Sequence, residues 1–125
     1  MNKLQLFSIV VIILCSCSNQ SNNKVIIGTW TTNNEEKIIF YRNGVCSIKE
    51  VDLYQISPFP QNKGLKINTD KATWTIINQE VVHITYDLPN RKAQGGFELY
   101  YANSILCFFI GDPADNIKIE FSKCE

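Results

Sequence analysis

One histidine, five cysteines and a scatter of serines and carboxylates are the side chains of this chain best suited to chemistry, and their spacing decides what they can do. His83 lies between Val82 and Ile84 in a strand-like run, so it faces opposite to the core residues of that strand. A lone histidine brings no second metal ligand with it. Ser104 and Ser122 lack a positioned base, and Gly95-Gly96 alone is a loop feature rather than a phosphate cradle. Asp112 and Asp115 suit turn positions, because the residues that follow supply no acidic repeat of calcium-loop spacing. Glu35-Glu36 is a pair in sequence only, since consecutive strand residues point to opposite faces. The pattern assembles no catalytic set and calls for no metal or cofactor, so the expectation is a protein that is not an enzyme.

The elements that position these residues begin after an unusual leader. Lys3 supplies a positive start, Leu4 to Leu14 is almost wholly apolar, and Leu14-Cys15-Ser16-Cys17 closes the segment. That layout is an export signal. Its apolar run of about eleven residues is well short of the roughly 20 needed to span a bilayer as a helix. The end of the run resembles a bacterial lipobox, in which a Leu and then a small residue precede the cysteine that is lipidated. Leu14 at minus three and Ser16 at minus one fit Cys17, whereas Cys15 would put Leu14 at the cleavage position. The resemblance implies a signal over residues 1–16, a multiply acylated Cys17 carrying palmitate-type chains, and anchorage in the cell envelope. Ser18, in place of the Asp that retains enteric lipoproteins at the inner membrane, implies the outer membrane, facing the periplasm. Ser18 to Asn23 has no apolar residue, so residues 17–23 read as a flexible tether.

A mature chain from Cys17 keeps 109 of the 125 residues, enough for one domain with one core, over residues 24–125. Loss of Lys3 turns twelve basic against twelve acidic side chains into eleven against twelve, a formal charge of −1. That balance steers the protein toward neither nucleic acid nor an anionic lipid surface. Three cysteines remain. An oxidising compartment allows one disulfide among three pairings, Cys107–Cys124 being the candidate pair. Alternatively Cys46 and Cys107, each inside an apolar strand, are buried free thiols.

Aromatic and β-branched residues are abundant, helix-period runs are absent, and Asn, Gly and Pro punctuate short apolar segments, which predicts an all-β domain. Strands are expected at Val25–Thr32, Glu36–Arg42, Val45–Val51, Ala72–Asn78, Val81–Tyr86, Phe97–Ala102, Ile105–Ile110 and Ile117–Ser122. Five of the seven connections are six residues or shorter, so an eight-stranded antiparallel meander follows. At Asn43-Gly44 a type I′ turn would bury Ile39, Tyr41, Cys46 and Ile48. A G1-bulge loop with Gly44 left-handed instead buries Ile38, Phe40, Cys46 and Ile48, opposed by Lys37, Ser47 and Lys49. The second reading gives the cleaner amphipathic pair. Asp112-Pro113-Ala114-Asp115 suits a type I turn, after which Ile117, Ile119 and Phe121 face Ile110, Phe108 and Leu106 in the core. Lys118, Glu120 and Ser122 then point outward beside Ile105, Cys107 and Phe109. An outward Ile105 and Phe109 form an apolar patch that is either a partner surface or is covered by another segment. The long Asp52–Lys71 connection, with Tyr54, Ile56, Phe59 and Leu65, is the segment available to cover it.

Ile27-Gly28-Thr29-Trp30, then Phe40-Tyr41-Arg42-Asn43-Gly44, then Ala72-Thr73-Trp74-Thr75-Ile76 occur in an order that resembles the small bacterial lipocalin-like lipoproteins. The resemblance implies a small barrel with Trp30, Trp74 and Phe40 as plug or ligand-contact residues. In true lipocalins a late Arg stacks on the first Trp. No Arg follows Arg91 here, which leaves Lys118 or Lys123 for that place. It further implies a membrane-anchored, non-enzymatic module for a small apolar ligand, held at a mouth rimmed by Asp52–Lys71 and Asp87–Gly96. The alternative is an inhibitor or immunity-type protein that blocks another protein through Tyr54, Phe59, Ile105 and Phe109.

Overall fold

The structure is a computed structural model that describes residues 24–89 and 91–124. The signal, the lipobox with Cys17 and the tether lie outside the described residues. The described residues form eight strands: β1 (Gly28–Thr31), β2 (Lys37–Phe40), β3 (Val45–Asp52), β4 (Lys66–Asn78), β5 (Val81–Asp87), β6 (Gln94–Ala102), β7 (Ile105–Phe109) and β8 (Lys118–Lys123). Each pairs antiparallel with its successor, and β8 returns to β1, closing a barrel in sequence order. A closed barrel has no free sheet edge to manage, and its alternating residues divide into an interior and an exterior set.

The interior is filled by side chains. Trp30, Ile38, Phe40, Cys46, Ile48, Trp74, Ile84, Leu99, Leu106 and Phe121 are all buried. The β2–β3 hairpin follows the bulged-loop reading: Phe40 opposes Cys46 and Ile38 opposes Ile48. Gly44 has φ of +82°, the left-handed conformation that such a loop requires at this position and that glycine adopts without strain.

Several expectations need correction. The first strand starts at Gly28 rather than Val25, because residues 24–26 form a helical turn that drops Ile26 into the end of the barrel. The fourth strand starts at Lys66, six residues before Ala72. Its polar beginning is held by long-range partners. Asp70 accepts a 2.6 Å hydrogen bond from Ser47, and Asn68 accepts one from the Glu50 amide at 3.1 Å. Ser47 is therefore buried although it lies outside the apolar face. The connection before β4 is not a bare loop: it holds the helical turn α1 (Leu53–Ile56) and a 3-10 turn at Pro60–Asn62. The final hairpin has the expected register, Leu106 with Phe121 and Phe108 with Ile119. Ile117, however, is 57% exposed, since it precedes β8 and stands beyond the barrel rim.

The Cys107–Cys124 bridge is also corrected, as Cys46, Cys107 and Cys124 are free thiols. Cys107 sits opposite Glu120, four residues before Cys124 along the same direction. At roughly 3.4 Å per strand residue, that offset exceeds the roughly 7 Å limit between the Cα atoms of a disulfide. Cys46 is sealed in the interior, whereas Cys107 is half-buried on the outer face and Cys124 is exposed, so neither is placed to meet it.

Candidate functional site

Strand directions sort the loops into two ends. One end holds the start of β1, the Tyr41–Gly44 loop, the Gln79-Glu80 and Asn103-Ser104 turns and the end of β8. It is shut. The indole Nε1 of Trp30 donates to the Ile26 carbonyl at 2.8 Å, and the ring stands edge-on to Tyr101 at 6.2 Å. Lys123 Nζ lies 5.8 Å from the Trp30 ring centroid and donates to the Val25 carbonyl at 2.9 Å. A cation over an indole face is attracted by the ring quadrupole. Gly28 has φ of +132°, a backbone conformation that L side chains rarely adopt, and this is what calls for glycine where Lys123 crosses. Trp74 is likewise structural: its Nε1 donates to the Tyr41 carbonyl at 2.9 Å, and its ring packs edge-on against Phe40 at 5.3 Å.

The other end carries the Asn33–Glu36 turn, the α1 segment and the two long loops after β5 and β7. Asp52 Oδ1 accepts the Tyr54 amide at 2.9 Å, capping α1. Leu53 then points down and is fully buried, closing the barrel from this side. Asn62 fastens the segment, its Nδ2 donating to the Ser57 carbonyl at 2.8 Å. What remains is a cleft of about 530 Å³ between α1 and the end of β7, lined by Tyr54, Gln55, Ile56, Pro58 and Phe108 to Gly111. Its volume falls in the range of small-molecule sites, about 300–1,000 Å³. Apart from the Tyr54 phenol and the Gln55 amide, its side chains are apolar. Phe108, the floor of the cleft, is set edge-on to Phe97 at 5.9 Å.

The Asp87–Gly96 loop does not share this cleft. Asp87 and Arg91 to Gln94 line a separate depression of about 430 Å³, with charged or amide heads on all of these residues except Ala93. The two loops therefore border separate clefts.

Of the expected contact residues, Tyr54 and Phe109 come together in the apolar cleft, with Lys63 Nζ 5.6 Å from the Tyr54 ring centroid. Phe59 does not join them and is 56% exposed. Phe109 is half-buried, edge-on to Tyr100 at 5.4 Å, and Ile105 is half-buried farther along β7. Trp30, Trp74 and Phe40 are packing residues away from the cleft. Phe108 was expected in the core opposite Ile119, and Ile56 in the segment available to cover Ile105 and Phe109; neither was expected to line a cleft. The signal that could have placed Ile56 is Asp52 two residues before Tyr54, an Asx-type cap that starts a helical turn.

The titratable groups add little reactivity. Burial pushes the Cys46 thiol up to about 12, leaving it a small hydrophobe. Burial also raises Cys107, opposed by Lys118 and reinforced by Glu120. His83 Nδ1 lies 3.9 Å from Glu98 on the outer face. Among the described residues no group of three or more His, Cys, Asp or Glu side chains is arranged to hold a metal ion. No family model, curated protein or solved structure matches the chain.

Proposed function

We propose that this protein is a lipid-anchored envelope lipoprotein, tethered through Cys17, whose lipocalin-like barrel is a non-enzymatic module that binds a small apolar ligand in the cleft between α1 and β7. The observation that carries the reading is the combination of a side-chain-filled barrel with an apolar cleft of ligand size. Side chains fill the interior, and outside it Tyr54, Ile56, Pro58, Phe108 and Phe109 line a cleft able to receive an apolar group. The lipocalin-like reading is supported by Lys123 over Trp30, the pairing in which true lipocalins use Arg. Anchoring places the cleft within reach of the membrane surface, where apolar molecules are concentrated.

The test is mass spectrometry of lipophilic molecules that copurify with the full-length chain from envelope extracts, beside the Ile56→Asp variant. A molecule carried by the wild type and lost from the variant is the expected result. Recovery of none contradicts the reading.

A second reading, a protein that blocks another protein, is favoured by one observation. Phe109 belongs both to the cleft and to the half-exposed aromatic pair with Tyr100, so cleft and outer face are continuous. Capture of a protein rather than a small molecule, abolished by Phe109→Ala, would select it.

A further inference from the structure

At the mouth end, Glu36 is a carboxylate in an unusual place. Glu35 before it holds φ of +69°, a left-handed backbone that costs a non-glycine residue on the order of 1 kcal/mol. The strained turn sends Glu35 to solvent and Glu36 inward, where it is 6% exposed. The Glu36 carbonyl is fixed by the Thr32 amide at 3.0 Å, yet its side-chain Oε2 is buried with no hydrogen-bond partner among the described residues. An unpartnered buried carboxylate is expensive when ionised.

The charged groups that face it are Asp52 at the end of β3 and Lys66 at the start of β4. Lys66 is drawn toward Glu50 at 3.9 Å, so its charge is not held for Glu36 alone. The residues of α1 carry no formal charge, and Thr31 and Thr32 of the neighbouring turn are neutral. Asp52 is also the N-cap of α1, and α1 forms one wall of the cleft. The acid that repels Glu36 is therefore the acid that seats the wall.

We propose that Glu36 is a proton-operated latch on the mouth: neutral, it leaves Asp52 and α1 seated, and ionised, it repels Asp52 and draws water inward, unseating α1 and opening the cleft. The latch deepens the binding role assigned above and rests on it for its purpose, though α1 moves whether or not a ligand enters. Burial holds the Glu36 carboxyl above its ordinary 4.5, Asp52 adds to this and Lys66 opposes it. The closed state thus holds the proton more tightly than the open one. Closure is complete below 4.5 and is lost as pH rises through the raised value.

Hydrogen exchange of the full-length protein tests this at the Ser57 amide, which donates to the Leu53 carbonyl across α1 at 2.8 Å. Protection there, corrected for intrinsic base catalysis, is expected to fall severalfold as pH rises and Glu36 ionises. Glu36→Gln keeps α1 protected at every pH. Asp52→Asn keeps a capping oxygen without the charge and shrinks the loss, which tests the latch even if the Glu36 variant fails to fold. PH-independent protection in the wild type, or an equal loss in Glu36→Gln, overturns the latch. Uptake of the neutral probe N-phenyl-1-naphthylamine separates the two ideas. Lost protection without uptake supports the latch and rejects the cleft as the ligand site, while uptake with constant protection rejects the latch alone.

Discussion

Lys123 Nζ stands 5.8 Å from the Trp30 ring centroid and 2.9 Å from the Val25 carbonyl, so one ammonium group joins the last strand, the first strand and the segment that leads into the barrel. Closure between β1 and β8 is otherwise brief, two register pairs with a hydrogen bond from the Cys124 amide to the Thr29 carbonyl at 2.8 Å. A short seam makes each contact across it count.

Lys123→Met keeps the aliphatic stem and removes the charge. It is expected to destabilise the protein by about 1 kcal/mol, the size of a partly exposed cation–π contact plus a charged hydrogen bond. Chemical denaturation checks this. Lys123→Arg, with a planar stacking surface, should match or exceed the wild type.

Trp30→Phe leaves the ring packing largely in place but orphans the Ile26 carbonyl. The expected cost is about 1–3 kcal/mol, that of a buried acceptor left unmet. Ile26 should then gain hydrogen exchange and protease access ahead of the rest of the barrel. A variant as stable as the wild type would show that the indole hydrogen bond does not hold this end shut.

Much of this architecture was written in the sequence. Lys37-Ile38-Ile39-Phe40 and Val45-Cys46-Ser47-Ile48 alternate around a glycine that can turn left-handed, so strand, turn and buried face are all local information. The start of β4 was not legible, because Asn68, Asp70 and Lys71 have poor strand propensity. Asp70 and Asn68 are held by Ser47 and Glu50 across the sheet. Ile117 follows the apolar period yet lies past the rim, which depends on where the barrel ends. The candidate site was half legible. Tyr54 and Phe109 stood out as apolar residues without an obvious home, but the cleft between them exists because Asp52 caps α1 and Leu53 anchors it. The burial of Glu36 rests on the backbone turn at Glu35, and nothing in the pattern of side chains announces it.

The three free thiols should differ in reactivity. Cys124 is exposed and Cys107 half-buried, while Cys46 is sealed, with its thiol pushed up to about 12. Alkylation near pH 8 is expected to label Cys124 first, Cys107 more slowly and Cys46 only on unfolding. Peptide mass spectrometry gives the order. Rapid labelling of Cys46 would mean that the barrel opens.

Global stability should carry the sign of the buried Glu36. A carboxyl raised in the folded state disfavours folding wherever it must ionise. Stability is therefore full below 4.5 and declines as pH rises through the raised value. Glu36→Gln should flatten that decline and melt higher than the wild type at pH 8. A lower melting temperature at pH 8 would show that the ionised carboxylate is satisfied where it lies.

The central claim is that an apolar molecule enters between α1 and β7. The most direct measurement is a fluorescence titration of the full-length protein with N-phenyl-1-naphthylamine, run beside Ile56→Asp in the cleft wall and Lys123→Met at the far end. The account predicts saturable single-site binding in the wild type and Lys123→Met, weakened at least about tenfold in Ile56→Asp, as expected when an apolar contact of one to three kcal/mol is replaced by a charge. Absence of saturable binding, or equal binding by Ile56→Asp, would contradict it.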